Sequence, residues 1–311
     1  MNKFEQLGLS ESLLRAIIDL GFENPTEVQE KAIPLLLEKD TDMVALAQTG
    51  TGKTAAFGFP LIQKIDADNR NTQALILSPT RELCLQITNE IKNYSKYEKG
   101  INVVAVYGGA SITEQARDIR RGAQIIVATP GRMQDMINRG LVNISEIGYC
   151  VLDEADEMLN MGFYEDIVNI LSTSPDEKST WLFSATMPGD IIALARRFMN
   201  QPIHIRTQDS EDEGAVVTRI KQHVLRAHAM DKIEMLARIL QADGRGPTMV
   251  FCRTKRTAQK TAEDLMERGF KAAPIHGDLG QSAREKALSD FKAGKSDVLV
   301  ATDVAARGID I

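Results

Sequence analysis

Ala47-Gln48-Thr49-Gly50-Thr51-Gly52-Lys53-Thr54 lies between a short apolar run, Met43-Val44-Ala45-Leu46, and a segment whose spacing predicts a helix over 54–65. The order is strand, glycine loop, helix N-terminus. Such a loop turns backbone N–H groups onto a phosphate, and the helix dipole adds attraction. Gly50 and Gly52 permit backbone angles and a close approach that a Cβ would block. Lys53 can reach the outer phosphates of a nucleotide, and the Thr54 hydroxyl can sit on Mg²⁺. One departure is visible: Ala47 stands where G-x-x-x-x-G-K-[ST] has its first glycine.

Outward from this loop, apolar strands alternate with helical stretches. Ala74–Leu77, Val103–Val106, Ile125–Ala128, Cys150–Leu152 and Trp181–Phe183 read as strands, with helices expected over about 81–97, 113–121 and 132–139. Short, fully apolar strands between helices imply a parallel sheet covered on both faces, with ligands bound beyond the carboxyl ends of the strands. The notable polar groups fall at those ends: Pro79-Thr80-Arg81, Thr129-Pro130-Gly131-Arg132, Asp153-Glu154 and Ser184-Ala185-Thr186. Any one of them reads as a capped loop; together, at one edge of one sheet, they read as a site. Upstream, Thr26 with Gln29 three residues later has the form of a capping box.

Asp209, Glu211, Asp212 and Glu213 interrupt the pattern, so 207–217 is expected to be a flexible acidic linker between an N-terminal domain, 1–206, and a C-terminal domain, 218–311. The second half restarts the alternation, with helices expected at 230–240, 254–268 and 282–293 and strands at 248–251, 274–275 and 298–301. The fold class is α/β, two parallel-sheet domains.

The bulk numbers bound the function classes. A chain of 311 residues, 43% hydrophobic and 26% charged, is long enough for two globular domains. No apolar run is long enough to span a bilayer, and none is flanked like a signal peptide. Cys84, Cys150 and Cys252 are far apart and form no metal or redox pattern, as in a reduced, cytoplasmic protein. Net charge is −6, but residues 1–217 carry 20 Lys+Arg against 31 Asp+Glu while 218–311 carry 17 against 12. A positive second half suits a polyanionic partner.

The phosphate loop binds nucleotides; what is done with them rests on the strand ending in Asp153-Glu154. Asp153 can hold Mg²⁺, through water or directly, and Glu154 can polarise a water for attack on the γ-phosphate. With Asp153-Glu154-Ala155-Asp156 the chain resembles the DEAD-box RNA helicases of superfamily 2. Gly21-Phe22, Pro25-Thr26 and Gln29 resemble that family's Q motif, with Phe4 at its upstream aromatic position, and the family's phosphate loop accounts for Ala47. Pro79-Thr80-Arg81-Glu82-Leu83, Gly108-Gly109 and Thr129-Pro130-Gly131-Arg132 match its RNA-contacting motifs, and Ser184-Ala185-Thr186 the motif linking hydrolysis to unwinding. Val250-Phe251-Cys252-Arg253-Thr254, His276-Gly277-Asp278, Gln281 with Arg284, and the run from Ala301 to Asp310 match motifs of its second domain.

The resemblance implies two RecA-like domains that close on ATP and RNA, and ATP-dependent, Mg²⁺-requiring unwinding of short RNA duplexes. It implies a nucleotide site of Phe4, Phe22, Thr26, Gln29, Gln48, Thr49, Gly50, Thr51, Gly52, Lys53, Thr54 and, from the second domain, Asp310. Gln29 would read the adenine edge. Glu154 would be the catalytic base, with Lys53, Asp153, Ser184 and Thr186 in the catalytic set, and Thr54 and Asp153 on the metal. Pro79, Arg81, Gly108, Gly109, Thr129, Pro130, Gly131, Arg132, Arg253 and Thr302 would face the RNA backbone, without sequence preference. The sequence ends at Ile311, directly after Arg-Gly-Ile-Asp, and the family's next arginine-bearing motif does not follow. The second domain is therefore expected to be incomplete, and the alternative is a fragment that binds nucleotide or RNA without turnover.

Overall fold

The computed structural model describes residues 3–207, 221, 223–228, 231–242 and 246–302. The acidic stretch from 208 to 217 and Asp310 lie outside them. The chain divides into two compact units, Met1–Val217 and Thr218–Ile311.

In the first unit a short 3₁₀ turn, Lys3–Leu7, leads into α1 (Glu11–Asp19) and α2 (Glu27–Glu38). There follow β1 (Met43–Leu46), α3 (Lys53–Lys64), β2 (Ala74–Leu77), α4 (Arg81–Tyr94), β3 (Val103–Val106), α5 (Ile112–Arg120), β4 (Ile125–Ala128) and α6 (Pro130–Asn138). The unit ends with β5 (Tyr149–Leu152), α7 (Ala155–Asn160), α8 (Tyr164–Thr173), β6 (Ser179–Ser184), α9 (Gly189–Phe198) and β7 (Ile203–Arg206). The seven strands run parallel in the order β3-β4-β2-β5-β6-β1-β7. Side chains alternate between two cores. Met43 and Ala45 join the layer of α1 to α4, and Val44 and Leu46 join the layer of α5 to α9. The short, largely apolar strands β1 to β5 follow from this double burial, while six-residue β6 also buries Ser179, Thr180 and Ser184.

The second unit holds α10 (Lys232–Ala242), β8 (Thr248–Cys252), α11 (Lys255–Glu267), β9 (Ala272–Ile275), α12 (Gln281–Lys292) and β10 (Val298–Thr302). Its described strands form a parallel sheet in the order β8-β10-β9.

Strand positions follow the apolar runs closely, while helix ends shift. The helix expected over 81–97 stops at Tyr94. The one expected from Arg132 starts two residues earlier, with Thr129 as N-cap and Pro130 in the first turn, where its missing N–H costs nothing. β7 is absent from the sequence reading: Ile203-His204-Ile205-Arg206 is an edge strand with exposed His204 and Arg206, so its alternation gives little apolar signal.

Asp42 fixes this edge. Its Oδ1 accepts from Thr180 N at 2.6 Å and its Oδ2 from Asn200 N at 2.5 Å, while its carbonyl accepts from Ile203 N at 2.9 Å. One buried side chain thus ties the entry to β1 to β6 and to the turn before β7. Asp42→Ala strands two backbone donors away from water. It is expected to cost about 2–4 kcal/mol, read as a lower urea midpoint with an unchanged slope.

Candidate functional site

The carboxyl ends of β1, β5 and β6, adjacent in the sheet, carry the phosphate loop, the Asp153-Glu154 pair and the Ser184–Thr186 turn. Gly50 has φ +77° and Gly52, the N-cap of α3, φ +84°. The left-handed turns bend the backbone into an open loop at the start of α3, where N–H groups lack helical partners. Thr51 Oγ1 donates to Gln48 O at 2.7 Å. The buried Lys53 ammonium donates to Ala47 O at 3.2 Å, so the lysine lies back over its own loop.

Gln29 is 5% exposed. Its Oε1 accepts from Thr26 N at 3.0 Å, the capping-box contact at the start of α2, and its Nε2 donates to Gly52 O at 3.0 Å. The box and the ligand role are therefore not exclusive: one lone pair and one N–H of the amide remain for an adenine edge. A Cβ on Gly52 would collide with Gln29 Nε2. Phe22 is half-buried and can offer a face to a base, but Phe4 is 1% exposed and packs on Phe22, Phe59 and the Phe59–Tyr94 pair from behind. The placement of Phe4 in the nucleotide site is thereby corrected: it backs Phe22 and has no free face for a base.

Glu154 adopts φ +51°, ψ +50°, one of two non-glycine residues with positive φ among the described residues. This conformation costs about 1–2 kcal/mol. It turns the chain from β5 into α7 and separates Glu154 from Asp153, whose Oδ1 accepts from Glu154 N at 3.0 Å. Burial pushes the Glu154 carboxyl up to about 7, helped by the Asp153 carboxylate beside it and opposed by Lys53. Burial also raises Asp153, again against the pull of Lys53. Two carboxyls and one ammonium therefore share a desolvated corner at the phosphate loop.

Asp156 has no role in the sequence reading and proves central. Its Oδ2 accepts from Thr186 N at 3.0 Å and Thr186 Oγ1 at 2.7 Å; Thr186 O accepts from Ser184 Oγ at 2.8 Å; and Ser184 Oγ accepts from Asp156 N at 3.3 Å. The ring locks the β6 turn to the start of α7. Ser184 is 0% exposed and its hydroxyl is engaged by Asp156 N and Thr186 O, so in this structure it presents no surface to a ligand, whereas Thr186 is exposed.

The other half of the edge, β2, β4 and β3, carries the basic strip. The Arg81 guanidinium, with no hydrogen-bond acceptor among the described residues, lies against Gly109, whose φ is +88° and whose Cβ would collide with it. Arg132 donates from Nη1 to Ala110 O and to Gln115 Oε1, both at 3.1 Å. Thr129 and Gly131 shape the start of α6. Pro79 and Pro130 are buried and set loop direction, so they offer no surface to a ligand. In the second unit, exposed Arg253 follows β8, and half-buried Thr302 ends β10. His276, after β9, is packed and pairs through Nε2 with Gln259 Oε1 at 2.9 Å.

Gln115 was missed by the sequence reading. It falls with Ile112, Ala116 and Ile119 on one stripe of α5, and a polar residue at an apolar position was the available signal.

Among the described residues no three His, Cys, Asp or Glu side chains gather as a metal cage. Mg²⁺ carried with a nucleotide needs one or two protein oxygens, and a buried Asp153 at the loop that bears the Thr54 hydroxyl fits that requirement.

The DEAD/DEAH box helicase family model matches residues 26–194, and the helicase conserved C-terminal domain model matches 231–311. The chain is 48% identical over 311 residues to the ATP-dependent RNA helicase CshA of Listeria monocytogenes and 44% identical over 310 residues to DeaD of Escherichia coli K12. It covers 59% and 48% of those two proteins, about half their length, and 100% and 99% of itself. Among solved structures it resembles S. cerevisiae Dbp5 bound to RNA and ADP BeF3, with a TM-score of 0.89 and 32% identity, covering 100% of this chain and 78% of that one. It also resembles a DEAD box protein from Methanococcus jannaschii, with a TM-score of 0.64 and 43% identity, covering 99% and 82%.

The two loop glycines separate by environment. Around Gly50 nothing lies within 4 Å of a new Cβ, whereas Gly52 abuts Gln29. Gly50→Ala meets only the backbone penalty; Gly52→Ala adds the displacement of Gln29. In a fluorescent-ADP titration, Gly52→Ala is expected to bind at least about tenfold more weakly than Gly50→Ala.

Proposed function

The chain belongs to the DEAD/DEAH box helicase family, and on that premise we propose that it hydrolyses ATP to ADP and phosphate while binding and locally opening RNA duplexes. The observation that carries the reading is the left-handed Glu154, held between Asp153 and the Asp156–Thr186–Ser184 ring at the mouth of the phosphate loop. Strain retained at a carboxylate beside the phosphate loop supports reading Glu154 as a positioned catalytic group.

Backbone N–H groups of 50–54 and the Lys53 ammonium hold the phosphates. Glu154 orients a water and takes its proton as it attacks the γ-phosphorus. The desolvated setting that raises its carboxyl toward 7 gives it the basicity the step needs. Thr54 and Asp153 would hold Mg²⁺, which neutralises charge on the phosphates when bound. Gln29 accepts from and donates to the adenine edge with its remaining lone pair and N–H, and Phe22 packs on the base. The ring from Asp156 to Thr186 links the corner where phosphate leaves to the turn after β6.

RNA lies along the basic strip. Arg81, Thr129, Arg132 and the Gly108-Gly109 backbone meet sugar and phosphate, and within the second unit Arg253 and Thr302 are RNA contacts of the same chemical kind. Contacts of this kind carry no base readout, so binding is independent of sequence. Residues 1–206 and 218–311 act as two domains. Three buried, unpaired cysteines, and no described helix long and apolar enough to cross a membrane, support a reducing, cytoplasmic setting. A coupled phosphate-release assay tests the reading: turnover is expected to rise on adding single-stranded RNA and not on adding DNA of the same sequence.

Two substitutions refine it. Glu154→Gln is expected to leave ATP affinity near that of the parent and to lower hydrolysis by about 10² or more, because the amide cannot take the proton. Gln29→Ala is expected to cost about 1–3 kcal/mol of ATP binding and little of GTP binding, so the ATP-to-GTP affinity ratio collapses. An unchanged ratio would remove Gln29 from base recognition.

A further inference from the structure

Gln115 is 7% exposed and hydrogen-bonded at both ends of its amide. Nε2 donates to Tyr107 O at 3.1 Å, in the turn that carries Gly108-Gly109, and Oε1 accepts from Arg132 Nη1 at 3.1 Å. The same Nη1 donates to Ala110 O at 3.1 Å. Both Nη1 hydrogens are therefore consumed inside the protein, and the Nε and Nη2 hydrogens of Arg132 have no acceptor among the described residues. A planar guanidinium held at one corner can turn only about that corner. Its opposite edge, Nε with Nη2, is the fork that matches two phosphate oxygens.

We propose that Gln115 is a positioning residue for RNA binding: it aims the Arg132 guanidinium at the sugar-phosphate backbone and ties it to the Gly108-Gly109 turn. The task needs one acceptor and one donor on a single short side chain. Glutamine supplies both; glutamate lacks the donor and lysine the acceptor. Burial of Gln115 itself, at 7% exposure, favours the arrangement, because a rotated amide would set like atoms against both partners. The inference rests on the reading of Arg132 as an RNA-backbone contact.

The test is an anisotropy titration of the 311-residue chain against a short fluorescein-labelled oligouridylate, repeated across a salt series, with fluorescent-ADP affinity measured on each variant. A phosphate contact on single-stranded nucleic acid contributes about 0.7 to the slope of log K against log salt. Arg132→Ala should lower that slope by this amount. Gln115→Met, which keeps the volume and loses both hydrogen bonds, should lower it equally and weaken RNA binding about threefold or more. The double variant should show no further drop. An unchanged slope in Gln115→Met beside a lowered one in Arg132→Ala overturns the proposal, as does an additive drop in the double variant. Loss of ADP binding in Gln115→Met would mark a fold defect and overturn it too. An unchanged slope in Arg132→Ala itself fails the underlying RNA reading and is recognised separately.

Discussion

Both faces of the seven-stranded sheet are buried: Met43, Ala45 and Val151 enter one core, and Val44, Leu46 and Leu152 the other. Apart from Ser179, Thr180 and Ser184 of β6, the buried strand positions are apolar, and the polar motifs collect where the strands end. All strands are parallel, and every carboxyl end lies on one edge. Helices then start at that edge and bring free N–H groups with them. The division of labour follows from strand order. β1, β5 and β6 are neighbours and gather the loop, the carboxylates and the Ser184–Thr186 turn. β2, β4 and β3 are neighbours and gather Arg81, Gly109 and Arg132.

On the nucleotide side the arrangement stores unfavourable terms and balances them locally. Gly52 relieves one, since a left-handed N-cap is open to glycine and the missing Cβ admits Gln29. Glu154 has no such relief and keeps its left-handed backbone. It is held by the Asp153 contact before it and by the α7 start behind it, which the Asp156 ring anchors to β6. Two desolvated carboxyls are tolerated because the Lys53 ammonium is buried beside them.

Two glutamines do related work on the two halves of the edge. Gln29 joins the start of α2 to the phosphate loop, and Gln115 joins the turn after β3 to the arginine of α6. Each uses a donor and an acceptor at once, and each leaves its partner fixed with one face open. Loops that would otherwise be free to rearrange are thereby presented in one geometry before any ligand arrives.

The sequence by itself determined the parallel α/β class, the positions of the apolar strands and the placement of the polar motifs at strand ends. These depend on local composition and on the rule that doubly buried strands are apolar throughout. It also contained the Thr26–Gln29 box, a contact between near neighbours in the chain. Only the tertiary structure decided that Phe4 is a backing residue, that Ser184 is sealed from solvent, that Asp156 closes a ring across 30 residues, and that Gln115 grips Arg132 across 17. The faint edge strand β7 and the three-way role of Asp42 belong with them. Each depends on partners distant in sequence and on burial, which is a property of packed layers; no local pattern of residue types encodes which side chain a buried polar group will meet.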